Sequence, residues 1–305
     1  MNPNRAKLVL RLPNELGESP VWCNEADSLY WVDVARPGLL CQWHVSTHVK
    51  SSWLFDEALT NVTLAGAGRL LIASERRLFL FDPQTSVREY CRTMLTLQRS
   101  LRFNDGACDS KGRLWIGTMA NNLARTEPSA PSGKTGDIWC VTKDGTVRVF
   151  KEKLGCPNAL AWSPDGLSFY FADSSDGCIY TSIFDVEAGI FSQRRPFFSA
   201  PTMGLPDGAA VDVEGYLWNA RWGGGCVIRI APDGTLDRVV DVPTAFVTSC
   251  VFGDADRRTL YITSAINGDH NPNGGGVFAF RSPTAGLPPT VFGQAIPKLN
   301  SRRSS

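Results

Sequence analysis

The chain has 305 residues, of which 43% are hydrophobic and 20% charged, a balance typical of soluble globular proteins rather than disordered or fibrous ones. It carries 31 Lys and Arg against 30 Asp and Glu, a net charge of +1, which excludes the basic field that binds nucleic acid. Its apolar runs fall far short of the roughly 18 to 20 residues needed to cross a bilayer, and no convincing signal peptide precedes them.

Short strand patterns bounded by Gly, Pro, Asp and Asn fill the chain, and helical periodicity is almost absent. One unit recurs: a polar residue, a short apolar strand, a turn rich in Asp and Gly, and a second strand with aromatics. Its copies are ESPVWCNEADSLYWVD from Glu18, NVTLAGAGRLLIAS from Asn61, NDGACDSKGRLWIGT from Asn104, NALAWSPDGLSFYFADS from Asn158, DGAAVDVEGYLWNAR from Asp207 and SCVFGDADRRTLYITS from Ser249. Their second strands begin about 41 to 55 residues apart, the period of one four-stranded sheet per repeat. This spacing predicts an all-β fold, a six-bladed β-propeller formed by one domain over residues 1–305.

Further strand patterns follow the second to sixth copies and would complete their sheets, and KLVLRL, before the first copy, can add a strand to the last blade and close the ring. A two-sheet sandwich is the alternative, but it would not produce six near-equal repeats. Two stretches depart from the period. Residues 121–136 form either a surface loop or a lid over the channel mouth, and we expect the tail KLNSRRSS to be frayed.

The nine cysteines are scattered singly, with no C-x-x-C pair. This pattern favours reduced thiols in a cytoplasmic protein over a disulfide framework. With only three histidines, a zinc finger or a His-rich zinc site is disfavoured. A closed propeller also buries its own sheet edges, so we expect a monomer with neither a nucleic-acid nor a membrane partner.

Residues at the start of each repeat would converge on the channel, because the innermost strands of a propeller line its axis. The residues in that position are Glu18, Asn61, Asn104 with Asp105, Asn158, Asp207 and Ser249. Carboxylate and amide oxygens are donors that hard divalent cations accept. A cation held by Glu18, Asn158 and Asp207 would keep positions open for water and a substrate carbonyl. Each residue alone could instead hold a turn, so the hypothesis depends on their shared register.

Several neighbouring residues could assist such a site. Arg102, beside Asn104, could donate to substrate hydroxyls or form a surface ion pair. Asp105 and Asp173 could orient the cation's ligands, or Asp173 could simply hold a turn at the end of its strand. Trp222, in RWGGGC, could stack on a sugar face.

Five motifs in order resemble the regucalcin/gluconolactonase family of sugar lactonases, and most closely its bacterial aldonolactonases. They are LGESPVW at Leu16–Trp22, RFNDGACDSKGRLWIGTM at Arg102–Met119, CPNALAWSPDG at Cys156–Gly166, LPDGAAVDVEGYLW at Leu205–Trp218 and GGGVFAF at Gly274–Phe280. The resemblance covers nearly the whole chain and implies a six-bladed propeller with one divalent metal in its channel.

By this resemblance the metal ligands are Glu18, Asn158 and Asp207, and Arg102 and Asn104 bind the substrate. The metal would polarise the carbonyl of a sugar lactone, and Asp207, or water activated by the metal and Asp207, would deliver the nucleophile. The chain departs from the animal members after Gly117–Ala120, where their substrate-contacting Glu is replaced by Asn121 and Asn122. We expect Asn121 to bind substrate hydroxyls in its place.

The donor set accepts calcium, zinc, manganese, magnesium or iron(II), and the sequence does not identify which sugar lactone is the substrate. Two other functions stay open. The same metal and water could hydrolyse another ester class, such as organophosphates or aryl esters. A propeller can also serve as a non-catalytic interaction platform, although that role would not need two carboxylates and three amides at one channel mouth.

Overall fold

The six sequence repeats form the blades of a β-propeller in the structure, a computed structural model that describes residues 3–90, 96–123, 133–268 and 271–295. Each blade is a four-stranded antiparallel sheet, so the predicted all-β, six-bladed fold is confirmed. Numbered along the chain, the strands are β2 (Gly17–Cys23), β3 (Ser28–Asp33), β4 (Gly38–His44) and β5 (Val49–Phe55) in blade 1; β6 (Leu59–Ala65), β7 (Arg69–Ser74), β8 (Leu78–Phe81) and β9 (Arg88–Tyr90) in blade 2; β10 (Leu101–Cys108), β11 (Leu114–Ala120), β12 (Gly136–Val141) and β13 (Val147–Leu154) in blade 3; β14 (Pro157–Trp162), β15 (Ser168–Asp173), β16 (Cys178–Asp185) and β17 (Ile190–Ser199) in blade 4; β18 (Leu205–Val211), β19 (Leu217–Trp222), β20 (Cys226–Ile230) and β21 (Leu236–Asp241) in blade 5; and β22 (Val247–Gly253), β23 (Thr259–Ser264), β24 (Val277–Arg281) and β1 (Lys7–Leu10) in blade 6.

The first strand of each repeat is the innermost strand of its blade. These strands contact one another in the order β2, β6, β10, β14, β18, β22 and back to β2, which closes the ring around the axis. The hydrophobic core lies between neighbouring blades, in six clusters of buried apolar side chains, one at each junction. Because apolar residues are buried between the sheets, the axis itself is left to polar side chains.

The N-terminal strand closes the ring. In blade 6, β1 pairs antiparallel with β24, with Lys7 opposite Ala279 and Leu8 opposite Phe278. The backbone of Ala6 also donates to the carbonyl of Asp241 in blade 5 at 2.8 Å. The predicted role of KLVLRL is therefore confirmed, because β1 completes the four-stranded sheet of blade 6 as its outermost strand.

Every innermost strand carries a β-bulge with one extra residue relative to its partner. The register shifts lie between Glu18 and Val21, Leu59 and Asn61, Phe103 and Gly106, Asn158 and Ala161, Pro206 and Ala209, and Val247 and Ser249. A bulge breaks the alternation of side chains and re-aims one of them. In blade 5 the bulge requires a glycine, because a Cβ on Gly208 would lie 2.0 Å from Oγ of Ser249.

A C-terminal segment, residues 282–295, crosses the face of the propeller opposite the starts of the innermost strands. The backbone of Leu287 donates to Val211 in blade 5 at 3.0 Å, and that of Phe292 donates to Leu64 in blade 2 at 2.8 Å. Blades 2 and 5 lie opposite each other in a ring of six, so the residues between must pass across the axis. This segment, for which the sequence analysis made no prediction, covers one end of the channel.

The eight cysteines in the described ranges are free thiols; Cys91 lies outside those ranges. Among the described residues no helix has the length and hydropathy to cross a bilayer. Most of the 121–136 stretch (residues 124–132) and the whole KLNSRRSS tail lie outside the described residues, so the alternatives given for them stay predictions.

Candidate functional site

Three carboxylates interact at the channel, Glu18 from blade 1, Asp105 from blade 3 and Asp207 from blade 5. Burial raises the pKa of Glu18 to about 8, with a further contribution from the charge of Asp105. Burial also raises the pKa of Asp105 to about 6. The pKa of Asp207 lies well above its usual range because of burial and the nearby charges of Glu18 and Asp105. None of the three forms an ion pair with a Lys or Arg of the described residues.

Local backbone groups fix two of these carboxylates at their bulges. The backbone N–H of Ser19 donates to Oε2 of Glu18 at 3.1 Å, and the backbone N–H of Gly106 donates to Oδ1 of Asp105 at 2.9 Å. In the described part of the chain, no three Asp, Glu, His or Cys side chains are close enough to hold a cation unaided. A cation site here would therefore need a further oxygen donor, and a side-chain amide is one candidate.

That amide belongs to a hydrogen-bonded relay linking blades 3, 4 and 5. Nη1 of Arg102 donates to Oδ1 of Asn104 at 2.7 Å, and Nδ2 of Asn104 donates to Oδ1 of Asn158 at 2.9 Å. Nδ2 of Asn158 donates to Oγ of Ser174 at 2.8 Å, and Oγ of Ser174 donates to the carbonyl of Pro206 at 2.6 Å. The relay thus ends at the residue before Asp207.

The relay also fixes which way the Asn158 amide points. The hydroxyl proton of Ser174 is committed to the carbonyl of Pro206, so its oxygen can only accept from a nitrogen. The Asn158 nitrogen therefore faces Ser174, and the Asn158 oxygen faces Asn104. Since an amide oxygen has two lone pairs, Oδ1 of Asn158 retains one acceptor site for a ligand.

Arg102 is a buried cation beside this relay, with 5% of its surface exposed. It donates from Nη1 to the carbonyl of Phe103 at 3.0 Å and from Nε to Oδ1 of Asn122 at 2.8 Å. Burial lowers the pKa of Arg102, opposed by nearby acidic groups that include Glu18 and Asp207. Nη2 has no hydrogen-bond partner among the described residues, which leaves its two N–H groups for a ligand.

Asn121 does not lie where the sequence analysis expected a substrate contact. Its side chain is buried, and Nδ2 donates to the carbonyl of Arg99 at 3.2 Å and to Oε2 of Glu75 at 3.4 Å. Its Oδ1 accepts from the backbone of Leu123 at 3.1 Å. The exposed neighbour Asn122 is the residue that contacts Arg102. The structure therefore places Asn122, and not Asn121, in contact with Arg102.

Asp173 holds the backbone that carries the relay. It is fully buried and accepts from the backbones of Gly155 and Cys156, both at 3.0 Å, and of Ser175 at 3.1 Å. Burial raises its pKa, but these donors outweigh that effect and the net pKa lies below its usual range. Of the two expectations for Asp173, its contacts match the turn-holding one.

Asn61 is directed into the protein rather than to the channel. Its Nδ2 donates to Oγ of Ser19 in blade 1 at 2.7 Å and to the carbonyl of Gly106 in blade 3 at 2.8 Å. Only 1% of its surface is exposed. Asn61 therefore ties its neighbouring blades together at the bulges that carry Glu18 and Asp105.

A buried pair that the sequence did not predict, Arg221 and Asn219, supports Asp207. Nη2 of Arg221 donates to the carbonyl of Gly204 at 2.6 Å, and Nη1 donates to Oδ1 of Asn219 at 3.0 Å. Nδ2 of Asn219 donates to the carbonyls of Asp207 and Gly208 at 2.8 and 3.2 Å. Burial lowers the pKa of Arg221 to about 10. The RWGGGC motif drew attention to Trp222 instead, whose ring packs on Phe246 at a centroid distance of 4.8 Å.

Comparison with known proteins adds an independent finding to this geometry. Residues 16–266 match the sequence model of the SMP-30/Gluconolactonase/LRE-like region. The chain is 36% identical over 265 residues to pentonolactonase XacC of Haloferax volcanii, covering 85% of this chain and 84% of that protein. It is 31% identical over 302 residues to regucalcin of Oryctolagus cuniculus, covering 96% and 99% of the two chains. The crystal structure of the calcium-binding protein regucalcin from Agrobacterium tumefaciens superposes with a TM-score of 0.84 at 28% identity, covering 95% of this chain and 98% of that one.

Proposed function

This chain belongs to the SMP-30/gluconolactonase/LRE-like family, and on that premise we propose that it hydrolyses a sugar lactone to the corresponding aldonic acid with the help of one divalent cation. The observation that carries the proposal is the group of three buried, interacting carboxylates, none of which forms a direct ion pair with a Lys or Arg of the described residues. Buried charges in proteins are paired or coordinate metals. The names of the relatives, a pentonolactonase and a calcium-binding regucalcin, support the same assignment.

The donor set fits a hard divalent cation. Glu18 and Asp207 would supply carboxylate oxygens, and Asn158 would supply the amide oxygen that the relay leaves with a free lone pair. All three are oxygen donors of the kind that calcium, magnesium and manganese prefer, and zinc and iron(II) accept them too. Asp105 would add negative charge nearby and lies close enough to influence the pKa values of both other carboxylates.

When bound, a divalent cation supplies Lewis-acid stabilisation of the negative charge that builds on the lactone carbonyl oxygen. Asp207 would accept the proton of the attacking water as its oxygen bonds to the carbonyl carbon. The ring C–O bond then breaks, and the proton passes to the ring oxygen, which leaves as a hydroxyl group. The acid formed ionises at neutral pH and releases a proton to solvent.

Arg102 and Asn122 would bind the sugar hydroxyls. The free Nη2 donor of Arg102 and the amide nitrogen of the exposed Asn122 can both donate to hydroxyl oxygens, and Arg102 is held in place by its bonds to Asn104 and Phe103. A buried, prearranged donor loses little freedom when the substrate binds. Asn104 would act by holding Asn158 and Arg102 in their orientations.

Proton release from a panel of pentono- and hexonolactones tests this function. The protein is stripped with a chelator and assayed before and after each divalent metal is restored. We expect hydrolysis above the spontaneous rate only after metal is added, and on a small number of lactones. Hydrolysis of aryl esters or organophosphates in preference to every lactone would instead assign another ester class, and no metal-dependent release from any ester would overturn an enzymatic role for the channel.

A further inference from the structure

A cavity of about 720 Å³ lies between blades 1 and 2, on the face of the propeller where the innermost strands end. Residues 24–27, in the turn from β2 to β3, form one wall, and residues 66–68, in the turn from β6 to β7, belong to the other. The C-terminal segment adds Pro288, Pro289 and Val291 to the lining. This volume falls within the range of roughly 300 to 1,000 Å³ that is usual for small-molecule sites. We refer to it as the interblade cavity.

A buried tyrosine hydroxyl faces the interblade cavity. Tyr30, on β3, lines the cavity and is only 5% exposed, and its hydroxyl has no hydrogen-bond partner among the described residues. Burial raises the pKa of Tyr30 to about 12, so this group is a neutral hydroxyl near pH 7. Buried polar groups in proteins are nearly always hydrogen-bonded. The partner of this hydroxyl must therefore come from the contents of the cavity.

Two other blades carry a tyrosine at the same position, the third residue of the second strand. In blade 6 the hydroxyl of Tyr261 donates to Oδ1 of Asp254 at 2.7 Å. In blade 4 the ring of Tyr170 packs on Phe197 at a centroid distance of 5.0 Å. Neither of these tyrosines lines the interblade cavity. The open space beside Tyr30 is therefore a property of the junction between blades 1 and 2 rather than of the repeat.

Gln42 adds a hydrogen-bond acceptor to the same wall, because it lies on β4 directly opposite Tyr30. Nε2 of Gln42 donates to Oγ of Ser28 at 3.0 Å, and Oγ of Ser28 donates to the carbonyl of Ala26 at 2.7 Å. Since the Ser28 proton is committed, its oxygen accepts from the Gln42 nitrogen and fixes the amide. Oε1 of Gln42 has no partner within the described ranges and is left for a ligand.

The blade 1 wall also carries uncompensated negative charge. Glu25 and Asp27 both line the cavity, and Glu25 forms no ion pair in the described part of the chain. His44 lies 3.8 Å from Asp27, and histidine is mostly uncharged above about pH 7. The charge of Arg69, which also lines the cavity, is paired with Glu89 at 3.2 Å. The charge of the lining therefore favours a cationic ligand.

The opposite side of the cavity is apolar. Leu64 and Leu70 of blade 2 are 8% and 2% exposed, and they line the cavity together with the prolines of the C-terminal segment. A ligand that fills this space must bring its own apolar surface, because burial of a polar group against such a wall is unfavourable. The cavity thus has one polar, negatively charged wall and one apolar wall.

We propose that the interblade cavity binds a small organic ammonium ion, a molecule that joins an apolar ring to one positively charged amine. The ammonium group has three donors and no acceptor, and it would donate to Oε1 of Gln42 and to the hydroxyl oxygen of Tyr30. Glu25 and Asp27 would supply the opposite charge, and the ring would lie on the apolar wall. An anion of the same shape would lack these donors and be repelled. The inference does not rest on the proposed lactone hydrolysis, because the cavity lies at the other end of the innermost strands from the channel mouth.

Calorimetric titration of the full chain with 2-phenylethylamine at pH 8 tests the cavity. At this pH the amine is charged and histidine side chains are not. Two comparison ligands have a similar shape, the neutral 2-phenylethanol and the anionic phenylacetate. We expect the amine to bind about tenfold or more tightly than the alcohol, and phenylacetate to bind more weakly still.

Tyr30→Phe isolates the hydroxyl, because it removes one oxygen and breaks no hydrogen bond among the described residues. Binding of the amine should weaken by about tenfold, whereas thermal unfolding should not change. Tyr170→Phe, the same change at the equivalent position of blade 4, is the matched control and should bind like the wild-type chain. Glu25→Gln, in an exposed turn, should weaken binding by about two- to fivefold, with a larger effect at low salt.

The channel carboxylates are the other place where an ammonium ion could bind, and Glu18→Ala distinguishes the two sites. Binding that is lost in Glu18→Ala but kept in Tyr30→Phe would overturn the proposal. Equal affinity for the amine and phenylacetate, or no binding of the amine, would do the same. A chain that binds the amine through Tyr30 but hydrolyses no lactone would separate the interblade cavity from the proposed function.

Discussion

The side-chain nitrogen of Asn104 donates to Oδ1 of Asn158 at 2.9 Å, and this bond joins blade 3 to blade 4 at the channel. Both residues stand at the bulges of innermost strands. Since the chain between them spans the rest of blade 3, the contact forms only when neighbouring blades are packed. The candidate site is therefore a product of blade packing rather than of any single loop.

Glu18→Ala and Asp207→Ala should each lower the rate of metal-dependent hydrolysis by about a hundredfold or more. Each change removes a charged oxygen donor from the proposed cation site, whereas the cores between the blades do not include these residues. The measurement is proton release with metal restored, beside a thermal unfolding curve. Asp165→Asn, in an exposed turn, is the control; near-normal turnover in either channel variant would remove that residue from the site.

Ser174→Ala should weaken cation binding by roughly 10- to 100-fold, the usual effect of losing a group that orients a metal ligand. Without the hydroxyl, the Asn158 amide loses the acceptor that fixes its nitrogen, and its orientation then depends on the bond from Asn104 to its oxygen. Calorimetric titration with the activating metal measures the loss. Ser182→Ala is the matched control, because Oγ of Ser182 is buried without a partner among the described residues; equal affinity in the two variants would show that the relay does not orient Asn158.

Asn219→Ala should lower the free energy of unfolding by about 1 to 3 kcal/mol, since it leaves the buried carbonyls of Asp207 and Gly208 without their donor. Hydrolysis should fall further than stability explains, because the bulge that carries Asp207 loses its support. Urea unfolding and kcat at saturating metal separate the two effects. A variant that is destabilised but retains wild-type kcat would restrict the Arg221–Asn219 pair to a structural role.

Cation affinity should rise with pH between about 6 and 8. The pKa of Asp105 is raised to about 6 and that of Glu18 to about 8. Below pH 6 both carboxyl groups are protonated, and a binding cation must displace their protons. Above pH 8 both groups are ionised and bind the cation without this cost. A raised folded-state pKa stabilises the fold at low pH, and that stability is lost as pH rises through the raised value. The cation-free protein should thus melt at lower temperature as pH rises toward 8.

Glu18→Gln tests the assignment of that window. The amide does not titrate, so the variant should lose part of the pH dependence of cation-free melting above pH 6. Differential scanning calorimetry in chelator, at several pH values, makes the comparison with the wild-type chain. An identical pH profile in both proteins would show that Glu18 titrates elsewhere.

The blades were predictable because each repeat carries its own strand and turn signals, and because a ring of blades needs a strand such as KLVLRL to close it. The positions of Glu18, Asn158 and Asp207 at the starts of their repeats were also readable from the sequence. The structure places all three inside the innermost strands, with Glu18 and Asn158 at the edges of their bulges and Asp207 within its bulge. Periodicity alone does not reveal a bulge, however, and the bulges decide where each of these side chains points.

The remaining features depend on contacts between distant segments. Asn121 and Asn122 are adjacent residues of the same type, so the sequence does not distinguish them. In the structure Arg102 donates to Asn122, whereas Asn121 is buried against Glu75. Nothing in the sequence distinguishes Ser174 from the other serines. Its role depends on the hydrogen bond that its hydroxyl donates to the carbonyl of Pro206, 32 residues away. Arg221 reads as a surface residue beside a glycine run, yet it is fully buried.

The C-terminal segment that crosses from Leu287 in blade 5 to Phe292 in blade 2 closes one end of the central channel. A molecule that binds near the carboxylates would then enter and leave by the open end of the channel, where the innermost strands begin. A departing product would therefore compete with the next substrate for this single opening. We therefore expect the exchange of reactant and product at the open end of the channel to contribute to the rate of turnover. Truncation of the chain before Leu287 would remove this segment and open the second end of the channel.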